Sequence, residues 1–207
     1  MGKKFLLIGL TGGTGSGKTL VSDVFSSRGI PSIEGDRLAR AVVEPGRPAL
    51  DELVEYFGAD ILDESGALKR RELANIAFSD PDKLKMLNRI THHHIGILSN
   101  ELMEKYKSEG CLGVLYDAPV LIESGLNKKC DFVVCVLADV ETRTRRIMQR
   151  DALTLEETKR RIGVQQSDEF YIEHSDYVIY NNDDPYDAKR RANEVIDKIL
   201  SEVNAFE

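Results

Sequence analysis

No apolar run in this 207-residue chain is long enough to cross a bilayer, so no membrane-spanning role is expected. An excess of positive charge is missing too. The 28 Lys and Arg face 35 Asp and Glu, a formal net charge of -7, which argues against general binding to a polyphosphate backbone while leaving room for a local basic cluster. Cysteine is scarce: Cys111, Cys130 and Cys135 are odd in number and show no C-x-x-C spacing. That pattern favours reduced, buried structural thiols in an intracellular setting over zinc or disulfides. Of only four His, three are consecutive, His92-His93-His94. Neighbours on a helix point about 100° apart, so at most one or two can share a face, and with no carboxylate or Cys at ligand spacing no metal is expected there. Internal repeats and low-complexity tracts are absent, and no secretory signal is expected ahead of Phe5-Leu6-Leu7, which lacks a small-residue cleavage site behind it. With 42% hydrophobic and 30% charged residues, the composition is that of an ordinary globular protein, sized for one large domain or one domain carrying an insertion.

What is present is concentrated near the start. Phe5-Leu6-Leu7-Ile8-Gly9-Leu10 reads as a strand buried on both faces, and Gly12-Gly13-Thr14-Gly15-Ser16-Gly17-Lys18-Thr19 fits G-x-x-x-x-G-K-[ST], the phosphate-binding loop. Glycines without Cβ let successive backbone N–H groups converge on phosphate oxygens. Lys18 then reaches the β- and γ-phosphates and Thr19 offers a hydroxyl to Mg²⁺, while a helix starting near Lys18 aims its positive end at the same anion. A nucleotide such as ATP, with Mg²⁺, is the expected ligand.

Past this loop the pattern alternates. A helix over 20–25 stops at Arg28-Gly29, and a short strand, Ile30–Ile33, ends at Glu34-Gly35-Asp36, two carboxylates at the strand edge where open α/β sheets bind ligands. Helices are expected over 37–43, 49–58, 70–78 and from Asp80 to about Lys107, with a small hairpin or turn at 61–68. The nearly all-helical block of about 45–108 reads as an inserted substrate-binding subdomain, leaving a core of 1–44 and 109–207 within a single domain. Cys111–Asp117 returns to a buried strand ending in an acid, a carboxylate placed for Mg²⁺ or its water shell, with a plain strand-end aspartate as the alternative. A second buried strand covers 131–137, and the last strand Asp176–Asn182. Between them two arginine-bearing helices, with Arg143, Arg145, Arg146, Arg150 and Arg161, join at Asp151-Ala152-Leu153; the second opens on a capping box at Thr154–Glu157. They read as a lid over about 140–165 that closes on polyphosphate, or else as a solvated basic face. An amphipathic helix from Asp187 to about Val203 closes the chain.

The implied fold is α/β: a parallel sheet with helices on both faces, of the P-loop, nucleoside-monophosphate-kinase-like type, with a helical insertion and a lid. A GTPase-type switch fits poorly. Asn127-Lys128-Lys129-Cys130-Asp131 has one residue too many for the guanine-reading motif, and Asp117-Ala118-Pro119-Val120 lacks the switch glycine. The chain resembles the dephospho-coenzyme A kinases over nearly its full length. Leu10–Lys18 is similar to the family's L-T-G-G-x-G-S-G-K, Glu34–Arg40 to D-A-D-x-x-A-R, and Ile90–Ile95 to I-x-H-P-x-I. Asp117–Glu123 is similar to D-x-P-L-L-F-E, Arg161–Gln165 to R-x-x-x-Q and Asp176–Asn181 to A-D-x-V-I-x-N. Glu34 and Gly35 stand where the family has Asp and Ala, and His93 where it has Pro.

The resemblance implies transfer of the ATP γ-phosphoryl group to the ribose 3′-hydroxyl of dephospho-coenzyme A, with another P-loop small-molecule kinase as the alternative. It implies Asp36, Lys18, Arg146 and Arg150 as catalytic residues and Gly12 to Thr19, Arg161 and Asn181 as nucleotide-binding ones. Asp36, Arg40, His92 and Asp117 would bind the acceptor, and Thr19 and Asp117 the metal. A cytoplasmic monomer or weak homo-oligomer, without nucleic-acid or membrane partners, is the accompanying expectation.

Overall fold

Five strands lie side by side in the order β2 (Ser32–Glu34), β3 (Gly113–Asp117), β1 (Leu6–Thr11), β4 (Phe132–Leu137) and β5 (Tyr177–Tyr180), in a computed structural model that describes residues 5–182 and 184–205. The central strand is β1, parallel to both β3 and β4, and β4 is parallel to β5. Leu10 stands opposite Asp117 and Thr11 opposite Cys135, so the C-terminal ends of the three middle strands share one edge.

The chain divides into two compact units, one of residues 34–105, the other of the described residues before and after it. In the sheet-bearing unit, helices pack on both faces of the sheet. On one, Leu6, Ile8 and Leu10 pack with Val21, Val24 and Phe25 of α1 (Lys18–Ser27) and with Ala192, Val195, Ile196 and Ile199 of α9 (Pro185–Ala205). Each such side chain contributes about 1.5–3 kcal/mol by leaving water. On the other, Ile122, Cys135 and Leu137 pack against Tyr171 of α8 (Asp168–Glu173). The remaining α-helices among the described residues of this unit are α6 (Val140–Asp151) and α7 (Leu155–Gly163).

The helical unit holds α2 (Gly35–Ala41), α3 (Pro48–Phe57), α4 (Arg70–Phe78) and α5 (Pro81–Ser108) as far as Lys105. Its own core gathers Val42, Val43, Ala49, Leu53, Ile61, Leu73 and Ile90. The expected turn at 61–68 is closed by an antiparallel bridge from Leu62 to Leu68, inside which Asp63 Oδ1 accepts from Ser65 N at 2.9 Å and Ala67 N at 3.0 Å.

Three local expectations shift. The strand expected over 30–33 is formed by Ser32–Glu34, because Pro31 has no N–H to give a ladder and only its carbonyl is used, by Leu115 N at 2.9 Å. The next helix starts two residues earlier than expected, at Gly35, which puts Asp36 inside its first turn; the N-cap is Glu34, without a side-chain capping bond. Helix α8 was not expected at all, although Ser167, which accepts from Phe170 N at 3.3 Å, is an N-cap residue type.

Candidate active site

Between β1 and α1 the chain reverses in a loop whose shape is set from outside as well as within. Gly17 caps α1 in the left-handed region at φ 93°, and a Cβ there would strike the side-chain amide of Asn181. Asn181 is buried at the end of β5; its Nδ2 donates to Ser16 O at 2.7 Å and its backbone N to Leu137 O at 2.8 Å. It therefore braces the turn into α1. Lys18 Nζ donates to Gly12 O at 2.9 Å, tying the two ends of the loop together through one side chain. The first N–H groups of α1 lack helical partners and point out of its N-terminus with the positive end of the dipole, the arrangement that holds phosphate.

Thr19 is exposed in the first turn of α1, and Asp117 ends β3, beside Leu10. A hydroxyl and a carboxylate at one sheet edge suit magnesium, a hard cation that takes oxygen ligands and completes its shell with phosphate and water. Among the described residues no group of three or more His, Cys, Asp or Glu is placed to hold a metal by protein atoms alone.

The arginines of α6 fall into two groups. Arg146 Nη1 reaches Gly15 O at 3.3 Å and Ser16 O at 3.4 Å, and its Nη2 reaches Asn181 Oδ1 at 3.4 Å. Burial, then the neighbouring Arg145, pulls its pKa down from the usual guanidinium value. Arg150 instead makes a two-pronged pair with Asp151 at 2.8 and 2.9 Å, and Arg161 Nη1 meets the same carboxylate at 2.6 Å. The bond from Arg150, joined by the charge of Arg161, holds the Asp151 carboxyl below the usual range. So Arg146 lies on the loop, while Arg150 and Arg161 are gathered at the α6–α7 turn, where Ala152 caps α6 at φ 53° and the expected capping box of Thr154 and Glu157 opens α7.

Two further residues hold the loop. Arg143, only 5% exposed, donates from Nε to Thr14 O at 2.9 Å, and Gln165 Oε1 accepts from Thr14 N at 3.0 Å. In the sequence Arg143 is one of a basic run and Gln165 the end of a family motif. The available signal is that Arg143, Arg146, Ile147 and Arg150 recur at 3.6-residue spacing, one face of α6 that mixes charge with the fully buried Ile147.

The other residues expected to bind the acceptor belong to the helical unit. Asp36 and Arg40, four apart, are both exposed on α2. The three histidines part company on α5: His92 is exposed, His93 lines a cleft of about 580 Å³ with Glu52, Tyr56 and Arg89, and His94 Nε2 bonds Glu52 Oε1 at 2.9 Å. The three thiols differ also: Cys135 is buried, whereas Cys111 and Cys130 are half-buried, which departs from the expectation of uniformly buried thiols. Burial above all, then the charge of Asp168, pushes the Cys135 thiol up to about 12.

Known proteins match this chain over most of its length. The sequence model of the dephospho-CoA kinase family matches residues 6–187. A dephospho-CoA kinase of Corynebacterium glutamicum is 43% identical over 96% of this chain and 100% of its own length. The structure of a dephospho-CoA kinase from Campylobacter jejuni superposes with a TM-score of 0.66 at 25% identity, covering 93% of this chain and 96% of that one. A shikimate kinase from Acinetobacter baumannii, at 20% identity and a TM-score of 0.55 over 97% of this chain and 96% of its own, shares the fold.

Proposed function

The chain belongs to the dephospho-CoA kinase family, and from that premise we propose how its residues divide the work of moving a phosphoryl group from ATP to the 3′-hydroxyl of dephospho-coenzyme A. The reaction yields coenzyme A and ADP. Phosphoryl transfer asks little covalent chemistry of a protein, so the rate comes from positioning and from charge placed where charge develops. Loop amides from Gly13 to Thr19 and the end of α1 hold the phosphates. Lys18 leaves Gly12 O and spans the β- and γ-phosphates, and Arg146, already against the loop, meets charge on the transferred group. Arg150 and Arg161 supply further positive charge from the lid turn when the lid closes.

Magnesium, held by the Thr19 hydroxyl and by Asp117 directly or through water, would neutralise charge on the β- and γ-oxygens. On the acceptor side, Asp36 orients the hydroxyl and takes its proton, while Arg40, on the same helical face, and His92 bind the rest of the substrate. Asp36 is supported by its place one residue after Gly35, in the first turn of the helix that follows β2 directly. Asn181 bonds Ser16 O with its amide and so serves the nucleotide through the loop.

The single observation that carries this reading is a phosphate loop with Lys18 and Arg146 both against it, in a chain matched along almost its whole length by one kinase family. A coupled ADP-release assay over dephospho-coenzyme A, nucleoside monophosphates and shikimate tests it. Dephospho-coenzyme A should give the highest kcat/KM; a higher value for any other acceptor defeats the substrate assignment and leaves the loop chemistry standing.

A further inference from the structure

The tip of the phosphate loop is gripped by both ends of the lid in a closed ring of hydrogen bonds. Thr14 N donates to Gln165 Oε1 at 3.0 Å, Thr14 O accepts from Arg143 Nε at 2.9 Å, and Arg143 Nη2 donates to that same Gln165 Oε1 at 2.5 Å. Arg143 comes from the first turn of α6 and Gln165 lies two residues past α7, so the two ends of the helical pair meet on the two polar groups of one loop residue.

Burying a guanidinium is costly unless its donors are satisfied, and Arg143 is 5% exposed. Asp168 stands off, its Oδ1 3.9 Å from Nη1, too long for a hydrogen bond. The closest bonds of Arg143 therefore go to a carbonyl and a neutral amide at the loop. The loop leaves room for it: a Cβ on Gly13 would lie 2.6 Å from Arg143 Nη2.

We propose that Arg143 and Gln165 are positioning residues for ATP, a clamp that fixes the orientation of the Thr14 peptide groups and thereby the geometry of the amides that follow. Neither residue needs to touch the substrate. The clamp also makes the loop's shape depend on where both ends of the lid sit, so that lid movement and phosphate grip change together. An arginine is required because its planar fork bonds two acceptors at once, which an ammonium on a flexible stem does not reproduce. The inference rests on the ATP-kinase reading above, and its test has a binding readout that does not depend on the acceptor.

The test uses the full chain with Arg143→Lys, Gln165→Leu and the pair together. It measures KM for ATP and for dephospho-coenzyme A separately, the Kd of a non-hydrolysable ATP analogue, and hydrogen exchange of the 12–17 segment without nucleotide. Each single change should raise the analogue's Kd and the ATP KM about tenfold, the scale of one or two lost hydrogen bonds, and speed exchange at the loop. The KM for dephospho-coenzyme A should move less than about twofold. Because either change opens the same ring, the double variant should be no worse than the weaker single one. Analogue binding at wild-type strength in both singles, or losses that add in the double, overturns the clamp. If Arg143→Lys fails to fold, Gln165→Leu, an uncharged and half-buried site, decides by the same readouts. Should the analogue results come out as stated while dephospho-coenzyme A is not phosphorylated, the clamp stands and the acceptor reading falls.

Discussion

Lys18 is the one charged side chain in Gly12 to Thr19, and one of its partners, Gly12 O, is a neutral carbonyl that competes weakly with a polyphosphate for an ammonium. Lys18→Ala should lower turnover by roughly 10²- to 10³-fold or more, the scale of removing one preorganised electrostatic donor, and ADP release near the wild-type rate would rule out the phosphate-loop mechanism. Asp36 and Glu34 are separable by kinetics. Glu34 occupies the N-cap position and Asp36 lies in the first turn, so replacing Asp36 removes no helix cap. Asp36→Asn should therefore cut kcat by roughly 10²-fold or more with thermal stability little changed, as for a lost general base. Glu34→Gln should be milder; if it hurts kcat more, the two carboxylates exchange roles. At the thiols, Cys135 keeps its proton up to about pH 12 when folded, against an ordinary thiol value of 9.0. The folded chain then binds the extra proton between those values, so the Cys135 contribution to stability is complete below about pH 9 and is lost as pH rises toward 12. Thermal melts from pH 8 upward should fall more steeply for the natural chain than for Cys135→Ala, and parallel slopes would contradict this.

Among the elements, the proposed lid gathers its charge at the α6–α7 turn. Asp151 holds Arg150 and Arg161 together at the turn, in bonds that nucleotide phosphate competes for with more charge than one carboxylate has. Closure should slow hydrogen exchange across 140–165 when a non-hydrolysable ATP analogue binds; equal exchange with and without it returns these arginines to a solvated face. The lid helices were legible because their signals are local: Asp139 accepting from Thr142 N, the capping box at Thr154, and apolar positions at helical spacing. So was β1, whose apolar run leads straight into the loop. What the sequence hid depends on partners distant along the chain. Pro31 moves β2 because its ladder partner is Leu115, α8 forms over Cys135 and Leu137, and Arg143 of α6 is held at the loop by Thr14, 129 positions back, and by Gln165, 22 positions on. A basic run looks the same in sequence whether its members face water or the loop.

For the whole molecule, a net charge of -7 is no barrier to an anionic substrate, because charges beyond about 8 Å are screened at physiological ionic strength and Arg143 and Arg146 lie against the loop. Among the described residues no helix is long and apolar enough to cross a membrane. The chain divides into two compact units, and Asp36, Arg40 and His92 belong to the helical one. The direct measurement is the product of incubating the full chain with ATP, Mg²⁺ and dephospho-coenzyme A, analysed by mass and by phosphorus NMR. The account predicts a compound one phosphoryl group heavier, esterified at the ribose 3′-oxygen and formed one-for-one with ADP; unchanged dephospho-coenzyme A, from enzyme that phosphorylates shikimate or a nucleoside monophosphate under the same conditions, would contradict it.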